Sequence, residues 1–410
     1  MPAKKKASAP AKKRAPKQPP KQPLRFAHPF FTTTPKEKRQ PVPGIAGAGT
    51  SLIDHIQGNL YPIPVPSRAP SMTLADVIGA QGAQEIAGAP SIKFHAVGDT
   101  GKGMDTPQGD VANAMTADFN ISQPATCPAF FFHLGDVIYG PNKDQEYRPE
   151  FYEPYVHYPG KIVAIPGNHD GETFPTTDPK SLEAFQANFC APSQTVPPIA
   201  GTIYRETMDQ PGVYWFLDCP FVQIVGMYSN AAENPGFISG QIPGQAQKTW
   251  LVGTLKTIAA QRKAGTRKVL VFGTHHPPFT AGGHSPSTEM LADIDDACNQ
   301  AGVMPDMYLS GHAHSYQRYT RALNFGGKAL QIPYIVAGTG GINDQAIVAA
   351  TGQKTGDHTF VKSLQGYGYL LVEVSETTVT STMSQVDPTS KAKTQYDVMK
   401  LDLATSRVLQ

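Results

Sequence analysis

The sequence predicts an α/β fold of two stacked mixed sheets with helices on the outside. Short apolar runs alternate with helical patterns between residues 91 and 190, which is typical of βαβ crossovers. Several apolar runs end in Gly followed at once by a polar residue, as strand ends at a functional edge do. The C-terminal part instead alternates apolar and polar residues, which favours antiparallel strands.

The first half of the domain contains three strand–helix repeats. Each apolar run is bounded by Gly or Pro, as a buried strand is. Strands are predicted at 92–97, 129–134 and 161–165, and helices at 108–119, within 144–156 and within 180–189.

The second half begins with a predicted hairpin and ends in antiparallel strands. The runs 213–217 and 221–227 flank a short turn, and a helical pattern covers 245–263. Further strands are predicted at 268–272, 307–309, 332–337, 367–374 and 377–384.

Charge divides the chain into a basic front and a mildly acidic body. Residues 1–40 hold 12 of the 35 Lys and Arg but one of the 33 Asp and Glu, which leaves 23 basic and 32 acidic residues elsewhere. Residues 1–45 are rich in Lys, Ala and Pro and are predicted to be a disordered tail. Such a tail is either solubilising or a weak contact for nucleic acid or another polyanion.

Residues 46–90 are interpreted as a lead-in segment without chemistry, in which Thr73 could cap a short helix. The domain proper is predicted to span residues 91–410. No stretch of 18 apolar residues is present, so no membrane span is expected. The four cysteines are widely spaced, which favours free thiols, and the absence of a signal-like stretch predicts a cytoplasmic location.

Five short polar motifs follow five predicted strands. Each motif alone is weak, because Gly-Asp often marks a turn and His-x-His can lie on a solvated strand face. Five in series, each directly after an apolar strand, favour a shared site. The motifs are Gly98-Asp99-x-Gly101, Gly135-Asp136-x-x-Tyr139, Gly167-Asn168-His169-Asp170, His275-x-Pro277 and Gly311-His312-x-His314.

The residue types in these motifs indicate a metal site. Imidazole, carboxylate, amide and phenol groups without thiolate suit Fe, Mn or Zn better than Ca or copper–thiolate chemistry. Seven candidate ligands exceed the needs of one such ion. Two ions about 3.5–4 Å apart, bridged by one carboxylate, would use all of them.

The motifs, in this order, resemble those of the calcineurin-like metallophosphoesterases, and Tyr139 makes the chain similar to the purple acid phosphatases. The resemblance covers most of residues 91–345. It implies a four-layer α/β/β/α sandwich with a dinuclear centre. It further implies that the first ion is held by Asp99, Tyr139 and His314, that Asp136 bridges, and that the second ion is held by Asn168, His275 and His312.

The same resemblance implies the cofactors and the catalytic histidines. The first ion would be Fe(III), bound to a tyrosinate, and the second Fe, Zn or Mn. Iron(III) acidifies bound water, which would supply a hydroxide nucleophile. His169 would face the substrate, stabilising charge on the phosphoryl group or protonating the leaving oxygen. His284, nine residues after His275, would be a second histidine facing the substrate.

The remaining histidines are interpreted as structural. His276 does not fit the His-x-Pro pattern and is expected to support the ligands. His95 and His133 lie inside predicted strands and are interpreted as hydrogen-bonded core residues. Asp170 either orients His169 or stabilises the turn. Arg318 is interpreted as an ion-pair partner that stabilises the fold.

The function that the sequence favours is hydrolysis of a small phosphate monoester by a metal-bound hydroxide, as in acid phosphatases. The first alternative is a phosphodiesterase or nucleotide phosphohydrolase with the same site. The second is a polyanion-binding protein with an inactive phosphoesterase fold, which the presence of every candidate ligand argues against.

Overall fold

A computed structural model describes residues 25–27, 60–140, 143–173 and 180–409. The strands are β1 Ser71–Thr73, β2 Ser91–Val97, β3 Phe130–His133, β4 Lys161–Ala164, β5 Trp215–Asp218, β6 Val222–Gly226, β7 Val269–Gly273, β8 Met307–Ser310, β9 Tyr316–Phe325, β10 Lys328–Ala337, β11 Lys354–Thr355, β12 His358–Leu364, β13 Tyr367–Ser375, β14 Thr378–Val386, β15 Lys393–Asp402 and β16 Arg407–Val408. The α-helices are α1 Leu74–Ala87, α2 Pro107–Thr116, α3 Lys143–Tyr147, α4 Asn168–Gly171, α5 Glu183–Phe189, α6 Ala246–Lys263 and α7 Thr288–Ala301.

These strands form two mixed sheets. The seven-stranded sheet has the order β16-β15-β14-β13-β2-β3-β4, and the nine-stranded sheet has the order β1-β5-β6-β7-β8-β10-β9-β12-β11. Strands β2, β3 and β4 are mutually parallel, as are β6, β7, β8 and β10. The parallel strands therefore occupy one part of each sheet, and the antiparallel strands complete both.

Apolar side chains from both sheets fill the space between them. Strand β3 is buried along its whole length, because Phe130 and its neighbours pack there with Ile224 and Val271 of the other sheet. Leu255 of α6 and Ile294 of α7 cover the outer face of the nine-stranded sheet. Helix α2 covers the seven-stranded sheet through Val111 and Met115. The four-layer α/β/β/α sandwich implied by the sequence is confirmed.

An ion pair joins the two sheets at their antiparallel ends. The Arg318 guanidinium on β9 donates to both carboxylate oxygens of Asp397 on β15, from Nε at 2.7 Å and from Nη2 at 3.1 Å. The Tyr316 hydroxyl donates to the same carboxylate at 2.7 Å. Arg318 therefore has the structural role that the sequence predicts.

The folded unit begins before Ser91, the predicted start of the domain. Strand β1 pairs in parallel with β5, and α1 buries Val77, Ile78 and Ile86 in the core. Asp76 accepts hydrogen bonds from the backbone and the hydroxyl of Thr73, so the predicted cap and helix are both present. Gly and Pro around this helix mask its apolar face in the sequence.

Several elements were not predicted from the sequence. Strands β9, β12 and β15 mix aromatic, polar and charged residues without strict alternation, so their pattern is weak. Helix α7 was also missed, although Met290, Ile294, Ala297 and Cys298 form a buried stripe at helical spacing. The predicted hairpin is present as β5 and β6, which pair antiparallel.

Residues 25–27 lie against the folded body, inside the segment predicted to be disordered. The Arg25 side chain packs on α1 at Gly82, so closely that a Cβ at position 82 would collide with it. The Nη1 of Arg25 donates to the Ala129 carbonyl at 2.9 Å. Phe26 is buried and packs edge-to-face on Phe119, with 6.1 Å between ring centroids. The rest of residues 1–45, including the predicted polyanion contact, lies outside the described residues.

Phe26→Ala is expected to lower the free energy of unfolding by about 2 kcal/mol, because the variant no longer buries an aromatic ring on folding. Chemical denaturation of the full chain measures this change. Val65→Ala is the matched control, since Val65 is 82% exposed and its truncation should cost little. Equal stability of Phe26→Ala and wild type would show that residues 25–27 do not dock in solution.

The four cysteines are unpaired, as the sequence predicts. Among the residues that the structure describes, no helix combines the length and apolar character required to cross a bilayer.

Candidate metal centre

The five motifs meet between the two sheets, at the carboxyl ends of parallel strands. Asp99 follows β2, Asp136 follows β3 and Asn168 follows β4 in one sheet. His275 follows β7 and His312 follows β8 in the other. Parallel strands bring their carboxyl ends to one edge, and the two stacked sheets bring two such edges together.

Tight turns at the strand ends direct the side chains into this space. Asp99, Asp136 and His312 have φ angles of 60°, 53° and 71°, in the left-handed region that residues with a Cβ seldom adopt. Such backbone strain is concentrated at functional sites. Gly167 is needed for space, because a Cβ there would collide with the Asp136 carboxylate.

The centre of the site is formed by Asp136, His275 and Asn168, all fully buried. His275 Nε2 lies 3.2 Å from Asp136 Oδ2 and 3.0 Å from Asn168 Oδ1. The other ring nitrogen, Nδ1, lies 2.9 Å from the Leu134 carbonyl oxygen and must donate to it. A neutral His275 therefore presents a lone pair at Nε2 to two oxygen acceptors, which is the arrangement that a cation stabilises.

Protonation can take the place of that cation in the metal-free protein. Burial lowers the pKa of His275, but the Asp136 and Asp99 carboxylates outweigh it and raise the pKa to about 9. Burial also opposes ionisation of Asp136, yet His275 and His169 hold its pKa below the usual range. Burial raises the pKa of Asp99 to about 7, and repulsion from the Asp136 carboxylate adds to the rise.

His314 repeats this arrangement beside Asp99. Its Nδ1 donates to the Asn343 carbonyl at 2.9 Å, so the lone pair is on Nε2, which lies 3.6 Å from Asp99 Oδ1. Burial lowers the pKa of His314 to about 4 and the pKa of His312 well below its ordinary value. Both rings are therefore neutral, which is the form that ligates metals.

Ligand atoms from Asp136, His275 and His312 lie within 4.8 Å of one another. Four atoms of the predicted ligands are buried and form no hydrogen bond with the described residues. These are Asp99 Oδ1, Asp136 Oδ2, Tyr139 Oη and His312 Nε2. Buried polar atoms without a partner are costly and require an explanation. Bound cations would satisfy all four, so the donor set fits metal ions.

Tyr139 lies at the edge of this cluster. Its ring centroid is 4.4 Å from that of His169 and 6.4 Å from that of His314. Burial, together with the nearby Asp136 and Asp99 carboxylates, raises the pKa of Tyr139 well above its ordinary value. A tyrosinate at this position would require the compensating charge of a cation.

His169 is oriented by a carboxylate on its own loop. Its Nδ1 lies 3.1 Å from Glu172 Oε2, and its ring is 27% exposed, against 3% for the Glu172 side chain. The backbone N–H of His169, not its ring, donates to Asp136 Oδ1 at 2.9 Å. Asp170 stabilises the turn, since its carboxylate accepts from the N–H groups of Gly167 and Val137.

His284 packs directly on the cluster. Its ring centroid is 3.8 Å from that of His312, and only 11% of its side chain is exposed. Gln345 Nε2 lies 3.0 Å from its Nε2, and Asn234 Nδ2 lies 3.1 Å from its Nδ1. Burial lowers the pKa of His284 to about 4, so the ring is neutral.

The fold and the cluster agree with the comparison to known families. Residues 92–316, more than half of the chain, match the calcineurin-like phosphoesterase family. The chain belongs to this family. The resemblance expected from the five motifs is thereby confirmed, and membership implies divalent metal ions at the cluster.

Solved structures similar to this chain are distant in sequence. The GAP50 anchor of the inner membrane complex of Plasmodium aligns with a TM-score of 0.53 and 13% identity, over 76% of this chain and 89% of its own. PhoD aligns with a TM-score of 0.49 and 12% identity, over 85% and 73%. A dimetal phosphatase from Danio rerio aligns with 0.42 and 11%, over 76% and 99%. No curated protein matches the sequence.

The other histidines have the structural roles that the sequence predicts. His276 is hydrogen-bonded at both ring nitrogens, by Ser229 at 2.8 Å and by the Ala232 carbonyl at 2.8 Å, so neither nitrogen is available to a metal. His95 bonds to Tyr158 and Asp118, away from the site. His133 bonds to Thr100, below the ligand loops.

Three site residues were not found from the sequence. Glu172 contacts His169, Gln345 contacts His284 and His314, and Glu233 contacts Asn168 and His284. Glu172 could have been identified from the sequence by its i,i+3 spacing to His169 in a short helical turn. Glu233 and Gln345 lie in irregular loops far along the chain, where no local pattern marks them.

Proposed function

We propose that the chain hydrolyses phosphate monoesters with a dinuclear metal centre, as acid phosphatases do. The observation that supports this is the pair of imidazoles, His275 and His314, that each donate through Nδ1 to a backbone carbonyl and direct Nε2 at a buried carboxylate. When bound, two cations would activate water and stabilise the negative charge that develops at phosphorus.

Several contacts support a proposed division of the ligands between two ions. Asp99 and His314 lie together on one side, and Tyr139 is near both. Asn168 and His275 lie together on the other, with His312 beside His275 at 5.1 Å between ring centroids. Asp136 contacts His275 and lies beside Tyr139, which supports the bridging role. We assign Asp99, Tyr139 and His314 to one ion and Asn168, His275 and His312 to the other.

His169 is the proposed catalytic acid. Its ring is partly exposed beside the ligands, and Glu172 at Nδ1 leaves Nε2 to face a substrate. A histidine in this position donates a proton to the leaving oxygen or a hydrogen bond to the phosphoryl group. His284, beside His312, is the proposed second substrate contact. Gln345 and Asn234 lie at hydrogen-bond distance from its two ring nitrogens, so the substrate would displace one of these amides.

The proposed ions are Fe(III) in the site with Tyr139 and Fe, Zn or Mn in the other. Only a strongly charged cation would ionise the Tyr139 phenol, whose pKa burial raises. Tyr139→Phe should therefore abolish a visible absorption band of the oxidised protein. A colourless oxidised wild type would favour Mn or Zn instead.

Metal analysis combined with a panel of phosphate monoesters and diesters across pH tests the proposal. We expect about two ions per chain and faster turnover of monoesters. Metal well below this ratio in every preparation would contradict a dinuclear centre. Faster turnover of diesters or nucleotides would replace the monoester proposal by the phosphodiesterase or nucleotide phosphohydrolase alternative.

A further inference from the structure

We propose that Glu233 is a positioning residue that orients Asn168 and His284 together. The inference rests on the proposed function, because it treats Asn168 as a metal ligand and His284 as a substrate contact. Glu233 follows β6 in an irregular loop and belongs to none of the five motifs. Its carboxylate stands between a residue at the end of β4 and one in the loop after β7.

One carboxylate oxygen sets the orientation of the Asn168 amide. Asn168 Nδ2 donates to Glu233 Oε2 at 3.0 Å, and Asn168 Oδ1 therefore faces His275 Nε2 at 3.0 Å. An amide has one acceptor and one donor end, and only the oxygen can bind a cation. Without Glu233 the amide can rotate, and its NH₂ group would then repel the ion.

The other carboxylate oxygen faces His284. Glu233 Oε1 lies 3.5 Å from His284 Nδ1, while Gln345 Nε2 donates to His284 Nε2 from the opposite side at 3.0 Å. Gln345 Oε1 accepts the His314 N–H, so its amide orientation is determined as well. Asn234 Nδ2 lies 3.1 Å from the same Nδ1, so Glu233, Asn234 and Gln345 together hold the His284 ring in place.

The loop that carries Glu233 is held by residues that do not enter the centre. His276 bonds to Ser229 and to the Ala232 carbonyl, which precede Glu233 in the loop. Asn230 accepts from the Tyr61 N–H at 2.9 Å and donates to the Tyr61 carbonyl at 2.7 Å. The His275-His276 pair therefore has divided roles: His275 faces the cluster and His276 holds the loop that orients Asn168.

Glu233 does not serve in an ion pair with a lysine or arginine of the described ranges. In the described part of the chain, no Lys or Arg pairs with Glu233, and its contacts within ion-pair or hydrogen-bond distance are with Asn168 and His284. Outer residues that orient ligands change metal affinity by about 10–100-fold when they are removed. A loss in this range is expected here.

The test compares Glu233→Ala and Glu233→Gln with wild type in the full chain. The metal-free proteins are titrated with Mn²⁺ against a chelator, and kcat and KM are measured with a monoester. Glu233→Ala should weaken Mn²⁺ binding by about 10–100-fold. Glu233→Gln should restore most of the affinity, because its amide oxygen still accepts from Asn168, but kcat should stay low, because the variant removes the carboxylate charge beside His284.

Glu373→Gln is the matched control, since Glu373 lies on β13 and contacts Ser91 and Lys93. Wild-type Mn²⁺ affinity and kcat in Glu233→Ala would overturn the proposal. Equal metal loss in the Ala and Gln variants would also overturn it, because the hydrogen bond to Asn168 would then be irrelevant. If wild type binds metal but cleaves no phosphate ester, the proposed function fails, whereas the Mn²⁺ titration still tests Glu233.

Discussion

Asp136→Asn is expected to abolish tight metal binding and with it hydrolysis. The substitution keeps the shape of the side chain and the Oδ1 acceptor for the His169 N–H. It removes the negative charge and, with the oxygen kept at the His169 N–H, places the amide NH₂ opposite His275 Nε2. Because Asp136 is the proposed shared ligand, we expect metal affinity to fall by more than the roughly 10–100-fold that outer residues cause.

Thermal unfolding with and without Mn²⁺ measures this loss without an activity assay. Metal at 100 times its dissociation constant should stabilise wild type by about 2.7 kcal/mol, because it binds only the folded state. Asp136→Asn should show no such increase. Asp293→Asn, a carboxylate that pairs with Lys248 on the surface of α7, is the control and should respond as wild type does. A full metal-dependent increase in Asp136→Asn would exclude Asp136 as a ligand.

His169→Ala is expected to lower kcat by about 10²–10⁴-fold while leaving the metal content unchanged. The two effects separate because His169 contacts Asp136 through its backbone N–H, which alanine retains. The imidazole, which the substitution removes, pairs with Glu172 through Nδ1 and lies beside the Tyr139 ring. Kinetics with a monoester and metal analysis of the same preparation check both parts.

Two further variants test whether the loss of kcat comes from the His169 imidazole. Glu172→Gln should lower kcat less than His169→Ala, since it weakens the orientation of the ring but keeps the proton donor. His157→Ala removes an exposed histidine outside the cluster and should have no effect on kcat. A loss of metal in His169→Ala equal to its loss of activity would show that His169 acts through the metal centre and not on the substrate.

The seven proposed ligands were accessible from the sequence because each follows a strand that is recognisable by itself. The apolar run 129–134 is followed by Gly135-Asp136, and the run 161–165 is followed closely by Gly167-Asn168. The apolar run identifies each strand, and the polar residues after it identify the strand end. The structure places the residues of all five motifs around one buried region. The ligand roles themselves remain proposals that metal binding by the variants above would test.

Other features depended on contacts that no local pattern contains. The early start of the folded unit depends on β1 pairing with β5, 145 residues further along the chain. The contacts of Glu233 with Asn168 and of Arg25 with Ala129 likewise join residues 65 and 104 positions apart. Loop residues of this kind are positioned by the strands to which their loops are attached.

The sequence by itself determined the fold class, the family and the ligand candidates, because apolar periodicity and the residues that end each strand are local properties of the chain. The tertiary structure alone decided which ring nitrogen of His275 and His314 holds a lone pair and which carboxylates contact His169, Asn168 and His284. Those features depend on hydrogen-bond partners, and the partners become neighbours only when two stacked sheets bring separate strand ends together.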